Sequence, residues 1–129
     1  MRVINYIFGF SFPIAFAISV SLHAQDTRPT VAILDFEAQD ISQAEAKTLT
    51  ERLRTEIGDT DAARLIERKA LDKILEEQGL QQTGCTSDEC VAEVGQLLGV
   101  QFMISGAIGR VGDSYTIDVR MFSVETGVT

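Results

Sequence analysis

Six consecutive residues, Val31-Ala32-Ile33-Leu34-Asp35-Phe36, leave this chain few folds to choose from, because a single carboxylate is all that interrupts them. A strand with no polar face must be covered on both sides, which is the situation of a parallel sheet with helices packed against it. The residues that follow fit that picture. Ser42-Gln43-Ala44-Glu45 has the spacing of a capping box, with Ser42 as the N-cap and Glu45 at the third helical position. Ala46, Leu49, Leu53 and Ile57 then recur at helical spacing as one apolar stripe, and Gly58 ends it.

Arg64-Leu65-Ile66-Glu67 reads as a short second strand. Leu71, Ile74 and Leu75 form the stripe of a second helix closed by Gly79, and Val91, Val94, Leu97 and Leu98 the buried face of a third, closed by Gly99. Between them a polar loop, Gln81-Gln82-Thr83-Gly84, leads into Cys85; Thr86 or Ser87 caps the third helix, and Asp88 and Glu89 suit the positive end of its dipole. Val100 to Ile108 is a strand with Phe102, Ile104 and Ile108 on one parity. Gly112-Asp113 reads as a two-residue hairpin turn. Tyr115, Ile117, Val119 and Met121 then alternate with Thr116, Asp118 and Arg120, the pattern of a half-buried strand with one wet face. Glu125-Thr126-Gly127 reads as a further turn, with Val128-Thr129 beginning something after it. The order β-α-β-α-α-β-β predicts an α/β fold, a single mixed β-sheet with helices packed on it and an antiparallel closing hairpin. The first two strands should be parallel because a helix crosses between them. The domain spans 30–129. At its C-terminal side either a strand and helix are missing or the sheet ends abruptly.

Residues 1–24 read as a signal peptide rather than as fold. Arg2 precedes an apolar run from Tyr6 to Leu22, Leu22-His23-Ala24 offers a cleavage site, and Gln25-Asp26-Thr27-Arg28-Pro29 begins a polar chain. The competing reading is an uncleaved membrane anchor. No Cys stands near the cut, so a lipid anchor is not available there. Cleavage after Ala24 would remove His23, the single His of the chain. The remainder can then build neither a Ser-His-Asp nor a Cys-His site, and offers no imidazole to zinc. With 11 Lys+Arg against 19 Asp+Glu and a net charge of −8, the chain repels phosphate backbones, so nucleic acid is excluded as an expected partner. Export implies an oxidising compartment, where the two Cys are expected to pair.

Three sets of side chains can carry chemistry. Cys85 and Cys90, at the mouth of the third helix, read first as a structural disulfide. A redox pair is the alternative, since a thiol in a first helical turn has a lowered pKa; a metal site would need ligands beyond two thiolates. Asp35 and Glu37 lie two apart at the end of the first strand, on one side of it, where α/β sheets place ligands. Acid/base work is conceivable there, but loop solvation and capping is the simpler reading, because no nucleophile is near. Glu67-Arg68-Lys69 and Glu76-Glu77 read as solvated charge. Gly106, Gly109 and Gly112 are too widely spaced for a phosphate loop, so no nucleotide, other cofactor or metal is expected.

Several segments taken together resemble a known family. Val31-Ala32-Ile33-Leu34-Asp35-Phe36, Arg64-Leu65-Ile66-Glu67-Arg68, Gly95-Gln96-Leu97-Leu98-Gly99-Val100 and Ile104-Ser105-Gly106-Ala107-Ile108 stand in the order seen in CsgG-type envelope proteins. That family includes the curli production assembly/transport component, and its fold is similar to the penicillin-binding-protein activator LpoB and the N-terminal domain of TolB. Val124-Glu125-Thr126-Gly127 and Cys85-Thr86-Ser87-Asp88-Glu89-Cys90 also resemble this family, the latter one branch of it. The resemblance covers roughly 30–129 and implies a periplasmic, non-enzymatic domain that works by protein contact at the outer membrane. A membrane channel is not implied, because the chain has no lipobox Cys and no pair of alternating segments beyond its one hairpin.

The expected function is therefore an exported protein-interaction or assembly module of the cell envelope, partnered by an envelope protein or by a second copy. A periplasmic thiol-disulfide protein using Cys85 and Cys90 is the alternative, and a carboxylate hydrolase at Asp35 and Glu37 a weaker one. The expected contact is the edge formed by Tyr115, Thr116, Asp118 and Arg120. That strand carries only two charges, of opposite sign, and a weakly protected edge invites strand addition. A missing strand of a longer chain would satisfy the same edge.

Overall fold

The Val31–Phe36 run forms a strand that is buried but not regular. In the computed structural model, which describes residues 24–81 and 85–125, only Val31-Ala32-Ile33 of the run lie in a strand, β1 (Thr30–Ile33), and Leu34-Asp35-Phe36 connect it to β2 (Glu37–Gln39). Helix α1 (Gln43–Asp59), strand β3 (Arg64–Leu65), helices α2 (Arg68–Glu77) and α3 (Asp88–Leu98), and strands β4 (Phe102–Val111) and β5 (Ser114–Ser123) follow. The signal-peptide segment up to His23, the loop residues Gln82-Thr83-Gly84 and the turn and strand start at 126–129 lie outside the described residues.

β4 organises the sheet. β5 pairs antiparallel along its whole length, from Phe102↔Ser123 to Val111↔Ser114. β1 and β2 must therefore share its other edge, both parallel to it, and β3 lies beyond β1, also parallel. Ile33 is opposite Ile104 but Glu37 is opposite Ala107, so the β1–β2 side advances four residues while β4 advances three. The extra residue is a bulge within Leu34-Asp35-Phe36. It reverses the alternation, placing Phe36 on the same face as Val31 and Ile33 and turning Asp35 and Glu37 to the other.

Each face is covered. On one, Val31, Ile33, Phe36, Ile104 and Ile108 pack against Leu49, Leu53 and Ile57 of α1. On the other, Ala32, Leu34, Met103 and Phe122 pack against Leu71 and Leu75 of α2 and Val91 and Val94 of α3. Burial of each such side chain stabilises the fold by about 1.5–3 kcal/mol. The N-caps fall where the sequence places them, but Gly58 does not end α1: it keeps helical backbone, and the helix runs on to Asp59 with Thr60 as its C-cap. Ser42 Oγ accepts from Glu45 N and Ser87 Oγ from Cys90 N, while Gly99 closes α3 at φ 65°. Gly112 has positive φ and Asp113 does not, the pattern of a type II′ turn.

Three further expectations are corrected. β3 is two residues long rather than four, because the chain enters α2 directly after it. Leu97 is exposed, since the buried stripe of α3 runs through Val91, Val94 and Gly95. The third correction bears on function. Tyr115, Ile117, Val119 and Met121 are 48%, 58%, 49% and 56% exposed, so β5 has no buried face until Phe122. Among the described residues β5 is an edge strand, and the apolar stripe of α1 packs over β1 and the middle of the sheet, so that α1 meets β5 through Glu45 at Tyr115 rather than covering it.

Gly106 tests the hairpin register. A Cβ there would lie 2.0 Å from the carbonyl oxygen of Asp118 and 3.0 Å from the Phe36 ring. Neither backbone nor a fully buried ring yields easily. Gly106→Ala should cost about 1–3 kcal/mol in urea unfolding; an unchanged midpoint would mean that β4 and β5 pair in another register.

Candidate functional site

The bulge places Asp35 at the meeting point of both helical layers. Its carboxylate is 3.3 Å from Arg54 Nη1 of α1 and accepts from Arg68 Nη2 of α2 at 2.6 Å. Arg54 also donates to the Ile33 carbonyl, and both guanidinium groups reach Glu51. Asp72 lies 3.4 Å from Arg68. Burial works against the charge of Arg68, but the hydrogen bond to Glu51 and the nearby Asp35 and Asp72 outweigh it and raise its pKa. The reading of Glu67-Arg68-Lys69 as wholly solvated is thus corrected at Arg68, whose side chain is only 22% exposed. Asp35 is likewise an ion-paired anchor rather than a solvated loop residue. With two guanidinium groups holding it, it is poorly placed to act as an acid or base.

A cleft of about 250 Å³ opens on the α3 side of the sheet, lined by Asp35, Glu37, Cys85, Ser105, Asp118 and Arg120 among others. The structure thus brings together the Asp35 and Glu37 pair, one of the two cysteines and two residues of the predicted edge. The cleft has room because Ser105 and Ala107 of β4, which line it, are small. Glu37, Ala107 and Asp118 stand in one row across three strands, so the two carboxylates rise from backbones roughly 10 Å apart. Ser105 is 5% exposed, and among the described residues its Oγ has no hydrogen-bond partner. Among the described residues no cluster of three or more His, Cys, Asp or Glu could hold a metal ion.

Cys85 and Cys90 form a disulfide, with Cα atoms 5.4 Å apart. It ties the residue just ahead of α3 to the first turn of that helix. Cys85 is 2% exposed and belongs to the core. Exchange with another thiol requires access to a sulfur, and here one partner is shielded.

The predicted edge residues divide between two faces. Tyr115 lies on the α1 face, where its hydroxyl donates to Glu45; that hydrogen bond and the carboxylate's charge raise the phenol's pKa. Arg110 lies over its ring at 5.8 Å. Thr116, Asp118 and Arg120 are on the opposite face, where Arg120 reaches Asp88 Oδ1 and the Thr86 carbonyl, each at 3.3 Å. Sequence reasoning missed the remaining members of this surface. Ile117, Val119 and Met121 join Tyr115 as an exposed apolar row, and among the described residues β5 pairs with β4 alone. Their alternation was visible, but alternation does not say which face is covered.

The family model described as curli production assembly/transport component CsgG matches residues 16–116. Among solved structures, the C-terminal domain of LpoB from Escherichia coli is similar at a TM-score of 0.63 and 15% identity, covering 78% of this chain and 75% of that one. The LpoB C-terminal domain from Salmonella enterica gives 0.61 and 14%, covering 77% and 74%. A lipoprotein from Neisseria meningitidis gives 0.62 and 7%, covering 78% and 73%. These likenesses concern the fold. No curated protein matches the sequence.

Two substitutions test the structural roles assigned here. Asp35→Ala should cost roughly 3 kcal/mol, at the low end of what an unpaired buried charge costs, because Glu51 remains to both arginines; a loss near zero in urea unfolding would show that the triad does not couple the layers. Cys90→Ser, at the less buried sulfur, should lower stability under oxidising conditions by about 2 kcal/mol. An unchanged midpoint would mean that the bridge does not stabilise the fold.

Proposed function

The chain belongs to the CsgG family, and on that premise we propose that it is an exported, non-enzymatic interaction or assembly module of the bacterial cell envelope, acting in the periplasm and at the outer membrane. One observation carries the reading. β5 presents Tyr115, Ile117, Val119 and Met121 to solvent on one face of an edge strand. Soluble proteins keep such rows covered or broken by charge unless something binds them. The chemical candidates support the same view from the other side, since Asp35 is held in ion pairs and Cys85 is buried in the core. The contact proposed is backbone pairing along β5, with Tyr115, Thr116, Asp118 and Arg120 beside it.

The antiparallel hairpin fixes which backbone groups are free. In a two-residue hairpin the pair flanking the turn is hydrogen-bonded, here Val111 and Ser114. Alternation then directs the N–H and C=O groups of Thr116, Asp118 and Arg120 towards β4, and those of Tyr115, Ile117, Val119 and Met121 outwards. Val119→Pro therefore removes an outward donor and leaves the β4 ladder intact, a position where edge strands tolerate proline.

Two measurements test the proposal. The mass of the exported chain should correspond to a start at Gln25; an intact Met1 terminus would contradict cleavage. A photo-crosslinking residue at Ile117 should trap a protein in intact cells, and the same residue at the exposed Lys47 of α1 should not. Val119→Pro should abolish the Ile117 crosslink. Equal yields at both positions would overturn the assignment of β5 as the contact.

A further inference from the structure

We infer that the partner of the β5 edge is a second copy of this chain, paired antiparallel with Val119 opposite Val119. The inference rests on the edge-contact reading above and names its occupant. Because only the odd residues from Tyr115 to Met121 direct backbone groups outwards, a partner strand of the same sequence must oppose odd residues with odd ones. A slip by one residue would also bring the apolar face of one copy beside the polar face of the other.

Charge then chooses among the remaining registers. With Val119 at the two-fold axis, Asp118 of each copy is directly opposite Arg120 of the other, in the closer, non-hydrogen-bonded pairs. On the α1 face Ile117 meets Met121 of the second copy and Val119 meets itself. Moving the register two residues one way places Asp118 against Asp118, and two residues the other way Arg120 against Arg120. Opposite charges directly across a ladder stabilise it and like charges destabilise it. The strand is therefore self-complementary in one register and self-repelling in its neighbours, as an isologous interface requires. β5 also lacks the usual deterrents to pairing, since its sequence SYTIDVRMFS contains no proline and no lysine. The contact of Arg120 with Asp88 does not stand in the way, because both side chains are about half exposed and such pairs are weak.

The test is self-association of the chain recovered from the periplasm, measured by sedimentation equilibrium over a concentration series. Wild type should dimerise. Asp118→Arg alone and Arg120→Asp alone should each raise the dissociation constant about tenfold or more, because symmetry makes every substitution count twice. An equimolar mixture of the two variants should dimerise as wild type does, since one copy then presents two arginines to two aspartates; this rescue also shows that both variants are folded. A wild-type monomer at every concentration, unaffected single variants, or a mixture that stays monomeric would each overturn the inference. A monomer that still crosslinks to a different protein through Ile117 overturns the second copy and leaves the edge reading standing. A monomer without that crosslink overturns both.

Discussion

A buried carboxylate between two guanidinium groups, with Glu51 beside it, ties the two helical layers of this fold to each other and to the sheet between them. α1 and α2 lie on opposite faces of the sheet, and apolar packing fixes each against its own face only. Asp35 stands in the bulge between β1 and β2 and reaches both helices through Arg54 and Arg68. A charge removed from water costs several kcal/mol unless it is paired, so this arrangement is specific: the bulge, the helix register and the start of α2 must all be correct together. The bulge in turn decides which side chains face the cleft and lets β2 continue along β4.

That dependence explains how much the sequence alone could disclose. Elements with one strong local signal were legible: the N-cap at Ser42, the stripe Ala46–Leu49–Leu53–Ile57, the closing Gly79 and Gly99, and the Gly112-Asp113 turn. The parallel placement of β1 and β3 followed from chain connectivity. The bulge was not legible, because an apolar run reads alike whether its pleat is regular or interrupted. Arg68 was not legible either, for it sits in a charge run whose members differ only in what lies thirty-three residues away. β5 shows the same limit at the surface. Its alternation correctly marks two distinct faces, but whether the apolar one is covered depends on the reach of α1, which no local pattern encodes.

The finished sheet divides a packed interior from an exposed outer strand. Its interior strands β1 and β4 are packed from both sides, and the disulfide and ion pairs reinforce the helices that cover them. Its outer strand β5 is held through β4 and contributes little to the core before Phe122. A strand so placed can be altered or paired without disturbing the interior.

Amide hydrogen exchange along β5 tests that division most directly. In dilute protein, the amides of Thr116, Asp118 and Arg120 should be protected by their bonds to β4, while those of Ile117, Val119 and Met121 should exchange at close to the rate of an unfolded chain. Equal protection of the two sets would mean that the outer edge is already covered, and would contradict the account.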